Sequence, residues 1–237
     1  MTSDKISFVI PVFNEEENLL PLFEELREVA DGIGRPYEII FVDDGSSDNS
    51  RSVISSLGQR SPAVRLLALP QNRGQSAALA AGFRAAGGSI IITLDADQQN
   101  DPRDIPRLLS EFGPCDMVNG WRRQRRDTLS KRVASRIGYL MRNFLTGDTI
   151  RDTGCSLKVM RAGLAKKIPM FRGMHRFLPM LMRLEGARVI EAPVNHRPRT
   201  RGTSNYSNLS RAIEGFSDLL AVRWMARRHL PDDGDFS

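Results

Sequence analysis

Two aspartates, Asp95 and Asp97, are the clearest candidates in the sequence for binding a cation or taking part in catalysis. They follow directly on the apolar run of residues 89–94, and Gln99 comes two positions later. An apolar run of strand length that ends in acidic residues is typical of a buried parallel strand whose carboxyl end opens into a cleft. If the extended geometry continues, all three side chains project to the same side, which suits one hard cation held against phosphate oxygens. The competing interpretation is a polar turn, since short acidic motifs also arise by chance.

The elements that must position this pair follow from the spacing of apolar residues. Asp101 and Pro102 supply an N-cap and a first helical residue for a helix with an apolar side up to Phe112. The sequence predicts strands over 6–13, 38–42, 64–69, 90–94, 116–121 and 187–193, and helices over 15–32, 50–57, 76–86, 177–184 and 209–229, with a short helix from 162. This alternation predicts an α/β fold with a mostly parallel sheet, helices on its faces and ligands at the carboxyl ends of the strands.

Composition bounds the size and the partners. The 237 residues, 41% of them hydrophobic, can bury the core of one large domain. Lys and Arg total 34 against 28 Asp and Glu, which gives a net charge of +6. An excess of this kind favours an acidic partner: a nucleotide, a nucleic acid or an anionic membrane surface.

The cysteines and the lengths of the apolar runs indicate in which cellular compartment the protein works. Cys115 and Cys155 are too few and too far apart for a zinc site or a disulfide framework, so we expect two reduced thiols in a cytoplasmic protein. The first residues lack a basic leader region, and no run reaches about 18 uninterrupted apolar residues, so we expect no membrane-spanning segment.

Four short motifs occur in order, each at the end of a predicted strand or the start of a predicted helix. They are Ile10-Pro11-Val12-Phe13-Asn14-Glu15, Val42-Asp43-Asp44-Gly45-Ser46, Asn72-Arg73-Gly74 and Asp95-Ala96-Asp97-Gln98-Gln99. Together they resemble the GT-A fold glycosyltransferases of family 2, most closely the polyprenyl-phosphate (dolichyl- or undecaprenyl-phosphate) hexose synthases, over roughly residues 6–206.

This resemblance implies an inverting transferase that moves a hexose from a UDP- or GDP-linked donor to a polyprenyl phosphate. It implies one GT-A catalytic domain with a nucleotide-sugar half over about 6–121, an acceptor half over about 122–206 and an amphipathic helix over about 209–230. The donor site would comprise Pro11, Phe13, Glu15, Asp43, Asp44, Gly74, Asp95, Ala96, Asp97, Arg122, Lys131 (or Arg132), Arg201 and Ser204.

Within that set, the resemblance gives the central chemistry to Asp95, Asp97, Arg122 and Arg201. Asp97, with Gln99, is the expected ligand of Mg²⁺ or Mn²⁺, and the cation would neutralise charge on the departing nucleoside diphosphate. Arginine side chains would add donors to the phosphates.

The acceptor determines whether a general base is needed. A lipid monophosphate has a second pKa near ~6 and is largely ionised at neutral pH, so alignment and electrostatics would suffice. Asp152, His175, Arg176 and Arg199 are the expected acceptor-side residues. If the acceptor were a sugar hydroxyl, Asp152 would be the best candidate base.

The late loop departs from the pattern of the related synthases. Where these often carry Ser-Lys-Tyr or Ser-Lys-Leu, this chain has Ser204-Asn205-Tyr206. We expect Arg201, together with Arg199, to supply the phosphate-binding charge of the missing lysine.

Two segments have the composition of interfacial helices. Residues 122–142 hold eight basic residues and one acidic residue, with a helical apolar stripe that continues to Phe144, and residues 209–229 repeat this type of pattern. We expect peripheral association with the cytoplasmic face of a membrane, through these segments or a membrane anchor protein; packing of both stripes on the domain's own core is the alternative.

Two other functions fit parts of the sequence. A family 2 transferase that extends a glycan at a hydroxyl group would use the same donor half. A nucleic-acid-binding module would account for the charge, but it predicts aromatic side chains among the basic residues, and Tyr139 is the only aromatic residue in 122–142. We therefore expect no nucleic-acid partner.

Overall fold

The protein is described by a computed structural model for residues 4–123, 141–144, 147, 149–198 and 208–229. Within these residues, seven strands form one sheet in the order β3-β2-β1-β4-β6-β5-β7. The strands are β1 Ile6–Val12, β2 Tyr37–Asp43, β3 Val64–Ala68, β4 Ile90–Thr93, β5 Met117–Arg122, β6 Lys158–Arg161 and β7 Val189–Val194. The helices are α1 Glu16–Ile33, α2 Ser50–Arg60, α3 Gln75–Ala85, α4 Ile105–Glu111, α5 Ala162–Ala165, α6 Leu178–Leu184 and α7 Asn208–Arg228.

Six of these strands run in one direction. Parallel pairing joins β3, β2, β1 and β4, and it also joins β5 to β7. Strand β6 lies between β4 and β5 and is antiparallel to both. It is the one strand of these seven that runs in the opposite direction. The prediction of an α/β fold with a mostly parallel sheet is confirmed, and β6 is an addition that the sequence did not predict.

The two faces of the sheet carry separate layers of core because neighbouring residues of a strand point to opposite faces. In β1, Phe8 and Ile10 belong to the buried cluster that includes residues of α1, α2 and α4, whereas Val9 belongs to the cluster that includes residues of α3, α6 and α7. All three side chains are fully buried. The sheet is therefore covered on both faces, as a mostly parallel sheet requires.

The start of α4 agrees with the sequence prediction. The side chain of Asp101 accepts a hydrogen bond from the backbone N–H of Arg103 at 3.1 Å, and Pro102 opens a single 3₁₀ turn that leads into α4. The predicted basic helix over 122–144 is wrong at its start, because Arg122 is the last residue of β5; the structure also describes Arg123 and a helical turn at 141–144, and residues 124–140 lie outside the described residues.

Within the described residues, no helix is both long and apolar enough to cross a bilayer. The end of α7 carries Arg227 and Arg228, and positive charge at a helix C-terminus complements the helix dipole.

Candidate active site

The candidate site lies along the edge of the sheet where β1, β2, β4 and β5 end. Because these strands are parallel, their carboxyl ends bring the segments that follow each of them to the same edge. The motif residues that follow β1, β2 and β4, and Arg122 at the end of β5, therefore come from distant parts of the sequence to one edge of the fold.

The acidic pair is positioned by a turn rather than by an extended strand. Strand β4 ends at Thr93, the chain turns at Ala96 and Asp97, and Gln98 has a left-handed φ of 59°. The predicted continuation of extended geometry is thus wrong, because a left-handed residue breaks the alternation that would place Gln99 on the same face. Asp97 is 6% exposed, and its Oδ1 accepts the backbone N–H of Gln99 at 3.1 Å.

Asp95 lies deep among protein atoms and keeps a partly exposed surface. Burial, followed by the charge of Asp97, raises the pKa of Asp95 to about 6, against the opposing effects of Ser156, Lys158 and Arg122. Its Oδ1 accepts a hydrogen bond from Gln75 Nε2 at 2.7 Å, which ties the acidic pair to the first residue of α3. A pair of coupled carboxylates in this setting is well suited to bind a cation.

Asp43 and Asp44, at the end of β2, have different partners. Asp43 is fully buried, and its Oδ2 accepts two hydrogen bonds from the Arg51 guanidinium, at 3.0 and 2.8 Å. The carboxylate of Asp44 accepts the backbone N–H groups of Arg73 and Gly74, both at 2.8 Å. Asp44 therefore shapes the loop that precedes α3, a role that the sequence did not indicate.

Gly45 explains why this loop can come so close to the end of β2. A Cβ at this position would lie 2.6 Å from the backbone nitrogen of Asn72, and the φ of Gly45 is 72°. A side chain would therefore displace the backbone of the loop, and the positive φ also favours glycine. Two of the sequence motifs thus meet by direct backbone packing.

The end of β1 is held by a residue that the functional prediction did not include. Asn14 has a φ of 56°, and its Oδ1 accepts the backbone N–H of Ser47 at 2.8 Å. The next N–H, that of Glu15, donates to Ser50 Oγ at 3.0 Å. Pro11 is partly buried and Phe13 is 40% exposed, so the Phe13 ring is available at the rim of the site to a planar ligand.

Arg122 and Asp152 form a bidentate ion pair across the site. Arg122 Nε and Nη2 donate to Asp152 Oδ2 and Oδ1 at 2.7 and 2.8 Å, and the backbone N–H of Arg122 donates to Oδ2 at 3.2 Å. The Asp152 side chain is 9% exposed. The structure thus brings together one residue predicted on the donor side and one predicted on the acceptor side, and each orients the other.

Lys158, which interacts with both Asp95 and Asp152, is a further residue that the sequence did not predict for the site. It is 2% exposed on β6, and burial lowers its pKa, opposed by the charges of Cys155, Asp152 and Asp95. Its Nζ donates to the carbonyls of Thr153 and Cys155. The available signal was a single lysine within the otherwise apolar run of residues 157–160.

The remaining predicted residues divide into two groups. His175 Nδ1 lies 2.8 Å from Ser76 Oγ at the start of α3, and Arg176 approaches Asp218 of α7 at 3.9 Å. The positions outside the described residues are Lys131, Arg132, Arg199, Arg201 and Ser204. The chain reaches the late loop from Arg197, whose backbone N–H donates to the carbonyl of Gln99 at 2.9 Å.

Comparison with known protein families matches residues 7–169 to the family described as glycosyl transferase family 2. The chain is 37% identical over 232 residues to dodecaprenyl-phosphate galacturonate synthase of Rhizobium johnstonii, covering 94% of this chain and 68% of that relative. It is 40% identical over 220 residues to undecaprenyl-phosphate 4-deoxy-4-formamido-L-arabinose transferase of Yersinia enterocolitica, covering 91% of this chain and 66% of the relative. The chain thus spans about two thirds of the length of these curated relatives.

Solved structures show the same fold at lower identity. Glucosyl-3-phosphoglycerate synthase of Mycobacterium tuberculosis, crystallised with Mn²⁺, uridine diphosphate and phosphoglyceric acid, superposes with a TM-score of 0.69 at 20% identity. The match covers 98% of this chain and 81% of that one. The same enzyme crystallised with Mn²⁺ and uridine-diphosphate-glucose also gives a TM-score of 0.69, at 19% identity.

Proposed function

The chain belongs to glycosyl transferase family 2, and on this premise we propose that it transfers a sugar from a nucleoside diphosphate to a polyprenyl phosphate with inversion at the anomeric carbon. The observation that carries the proposal is the identity of 37–40% with two polyprenyl-phosphate sugar transferases over more than nine tenths of this chain. The acidic pair at the open edge of the sheet supplies the chemistry that such a transfer needs.

The donor nucleotide binds, in this proposal, across the ends of β1 and β2. The exposed ring of Phe13 stacks on the base, and Pro11 and Glu15 line the pocket. Asp43, which the sequence predicts to accept a hydrogen bond from the base, is fully buried, and its oxygens accept N–H groups of Arg51 and Ser46, so in this proposal it holds the loop beside the pocket. The diphosphate then extends towards the acidic pair and Arg122.

A divalent cation fits the donor set at the end of β4. Within the described residues no group of three or more His, Cys, Asp or Glu side chains could hold a metal ion, so the chain offers the carboxylates of Asp95 and Asp97 without a closed protein cage. Mg²⁺ is commonly held in this way, by one or two carboxylates together with substrate phosphates and water. We assign Asp97 as the protein ligand and no longer Gln99, because the left-handed Gln98 breaks the alternation that would place both side chains on one face; a bound Mg²⁺ or Mn²⁺ would stabilise negative charge on the leaving diphosphate.

The acceptor is proposed to need alignment rather than a general base. A polyprenyl phosphate is already largely ionised near neutral pH because the second pKa of a phosphate monoester is about 6. Asp152, the candidate base for a hydroxyl acceptor, instead accepts three N–H groups of Arg122 and is nearly buried. This arrangement favours a phosphate acceptor, with Arg122, Arg199 and Arg201 as the cationic donors and His175 and Arg176 at the acceptor side.

Binding of the donor is tested by thermal shift with UDP-sugars and GDP-sugars, each with and without Mn²⁺. A ligand that binds only the folded state raises the unfolding midpoint. We expect one nucleotide class to raise the midpoint more with Mn²⁺ than without it, and Asp97→Asn to remove that difference. A midpoint that responds to neither class at millimolar concentration would contradict the donor half of the proposal.

The lipid acceptor requires contact with a membrane surface, and α7 offers a face for it. Phe216, Leu220 and Trp224 recur every four residues and are 45%, 45% and 62% exposed, whereas Leu219 and Val222 are buried against the domain. Arg227 and Arg228 lie in the last turn of the same helix. Exposed apolar residues beside cationic ones are typical of helices that lie in an anionic interface, so we propose that this face of α7 contacts an anionic membrane.

Vesicle cosedimentation tests this contact. Binding to anionic vesicles should weaken at high salt and should weaken strongly in a Leu220→Ser, Trp224→Ser variant. Leu20→Ser is the matched control, because Leu20 is 44% exposed on α1 and lies outside the proposed face. Equal binding by all variants would exclude α7 as the contact, and full activity on a lipid acceptor without vesicle binding would favour an anchor protein instead.

A further inference from the structure

Four polar side chains form a row over β4, β6, β5 and β7, the half of the sheet that ends at β7, and the row begins two residues before Asp95. Thr93 of β4 pairs with Lys158 of β6, Lys158 pairs with Asn119 of β5, and Asn119 pairs with Glu191 of β7. Residues that pair directly across neighbouring strands project to the same face. Thr93, Lys158 and Asn119 are 2%, 2% and 0% exposed, so three of the four positions are buried where apolar side chains are usual.

Every member of this polar row binds the backbone of the segment over 151–156. Thr93 Oγ1 donates to the carbonyl of Ser156 at 2.7 Å, and Lys158 Nζ donates to the carbonyls of Thr153, at 3.4 Å, and Cys155. Asn119 Nδ2 donates to the carbonyl of Asp152 at 3.0 Å. Glu191 Oε1 accepts the N–H groups of Arg151 and Asp152 at 2.9 and 3.4 Å.

The segment over 151–156 in turn contacts Arg122 and Asp95, two residues of the candidate site. Its Asp152 holds the Arg122 guanidinium in the bidentate pair. Its Ser156 Oγ accepts the backbone N–H of Asp95 at 3.3 Å and donates to Asn100 Oδ1 at 2.5 Å. One segment therefore contacts both the acidic pair and the arginine at the end of β5.

Energetics argue against a purely stabilising role for the row. Burying an amide, a hydroxyl and an ammonium group costs free energy unless all their hydrogen bonds are satisfied, and replacing such groups by well-packed apolar residues is often neutral or stabilising. A polar row whose hydrogen bonds converge on one segment instead fixes that segment in a single conformation. Small displacements of catalytic groups lower turnover strongly, by about 10²-fold for 1 Å.

We propose that Thr93, Lys158, Asn119 and Glu191 are positioning residues that hold the segment over 151–156, and through it Arg122 and Asp95, in the geometry required for sugar transfer. The proposal rests on the proposed function for the reaction that it supports. In this proposal the four residues act through the segment rather than on the substrates, since Thr93, Lys158 and Asn119 are buried beneath it. Their contribution should appear in turnover rather than in nucleotide affinity, because the base pocket lies at the ends of β1 and β2, on the other side of β4 in the sheet.

The experiment compares Thr93→Val with Thr93→Ser. Valine has the same shape without the hydroxyl and leaves the carbonyl of Ser156 without its donor, whereas serine keeps the donor. We expect Thr93→Val to lower kcat at least tenfold, with the affinity for UDP and GDP unchanged within twofold, and Thr93→Ser to restore most of the loss. Lys158→Met, which removes two hydrogen bonds to the segment, should lower kcat by about 10²-fold.

Ser7→Ala is the matched control for loss of a buried polar group. Ser7 lies on β1, and its Oγ donates to Glu38 at 2.8 Å near the start of the strand, at the end opposite to the site. This variant should lose thermal stability while its kcat stays within twofold. An unchanged kcat in folded Thr93→Val and Lys158→Met would overturn the proposal, as would a Thr93→Ser variant as slow as Thr93→Val.

Amide hydrogen exchange separates this proposal from the proposed function because it needs no substrate. Peptides that cover 151–156 should exchange faster in Thr93→Val and Lys158→Met than in Ser7→Ala. An inactive wild-type protein with this pattern of exchange would contradict sugar transfer and leave the positioning of the segment supported. Equal exchange in all variants would contradict the positioning role, whatever the activity.

Discussion

The ion pair between Arg122 and Asp152 gives a prediction that can be worked out from its geometry. The Arg122 and Asp152 side chains are 19% and 9% exposed, and two guanidinium nitrogens reach the carboxylate at 2.7 and 2.8 Å. Removing one partner of a buried pair leaves the other uncompensated, at a cost of about 3–5 kcal/mol, which partial exposure of the arginine reduces to about 3 kcal/mol. We therefore expect Asp152→Asn and Arg122→Met each to lose about 3 kcal/mol of unfolding free energy.

The variant that carries both Asp152→Asn and Arg122→Met shows whether the two residues stabilise the fold through each other or independently. With both partners gone, no charge is left uncompensated, so the loss should be close to that of one single variant and the coupling energy about 2–3 kcal/mol. Urea denaturation at pH 7 measures all four proteins. Glu24 and Arg60 form an exposed pair, 37% and 54% exposed, and the same cycle there should give less than about 0.5 kcal/mol. A coupling that small between Arg122 and Asp152 would refute the view that each residue orients the other.

The remaining predictions concern the metal, the acidic pair and the late loop. Asp97→Ala should keep the unfolding midpoint within about 2 °C, because losing the hydrogen bond from the Gln99 N–H is offset by losing the repulsion with Asp95, and it should lose metal-dependent turnover; retained turnover in a radiolabel assay would place the cation elsewhere. Because the pKa of Asp95 is raised to about 6 from 3.8 in the unfolded chain, its contribution to stability is full below pH 4 and is lost as the pH rises through 6. In EDTA, the midpoint of the wild type relative to Asp95→Asn should therefore rise as the pH falls from 7 to 4, and a flat difference would contradict the raised pKa. Arg201→Ala should lower kcat/KM by more than tenfold, about 1.4 kcal/mol, and an unchanged value would exclude it as the substitute for the missing lysine.

The sequence predicted most of the strands because a parallel strand that is buried on both faces is a continuous run of apolar residues. The run Ile90–Thr93 and its neighbours in β1 and β2 are almost wholly apolar, and the acidic residues that follow mark where each strand ends. Strand β6 was missed for the corresponding reason. Lys158 interrupts a short apolar run, and a lysine is normally read as exposed, so only its partners in three dimensions show that it is buried.

The sequence predicted that the motifs would meet at the carboxyl ends of the strands, but it did not predict the contacts between them. The sequence indicates that Asp44 binds a ligand, but in the structure its carboxylate accepts the backbone N–H groups of Arg73 and Gly74. These hydrogen bonds depend on how two loops pack, which the sequence does not show. Arg122 and Asp152 are thirty positions apart, and nothing in the spacing of the sequence pairs them. The left-handed backbone of Gln98 likewise follows from the turn that closes the acidic motif, because glutamine has no strong preference for that region.

Product analysis with defined acceptors tests the central claim most directly. The protein would be incubated with the nucleotide sugar that thermal shift selects, Mn²⁺, and either undecaprenyl phosphate or an oligosaccharide acceptor, and the products analysed by mass spectrometry and by NMR of the anomeric centre. The account predicts a glycosyl phospholipid whose anomeric configuration is inverted relative to the donor, formed only with the lipid phosphate and absent in Asp97→Ala. Transfer to the oligosaccharide hydroxyl, or a lipid product with retained configuration, would contradict it.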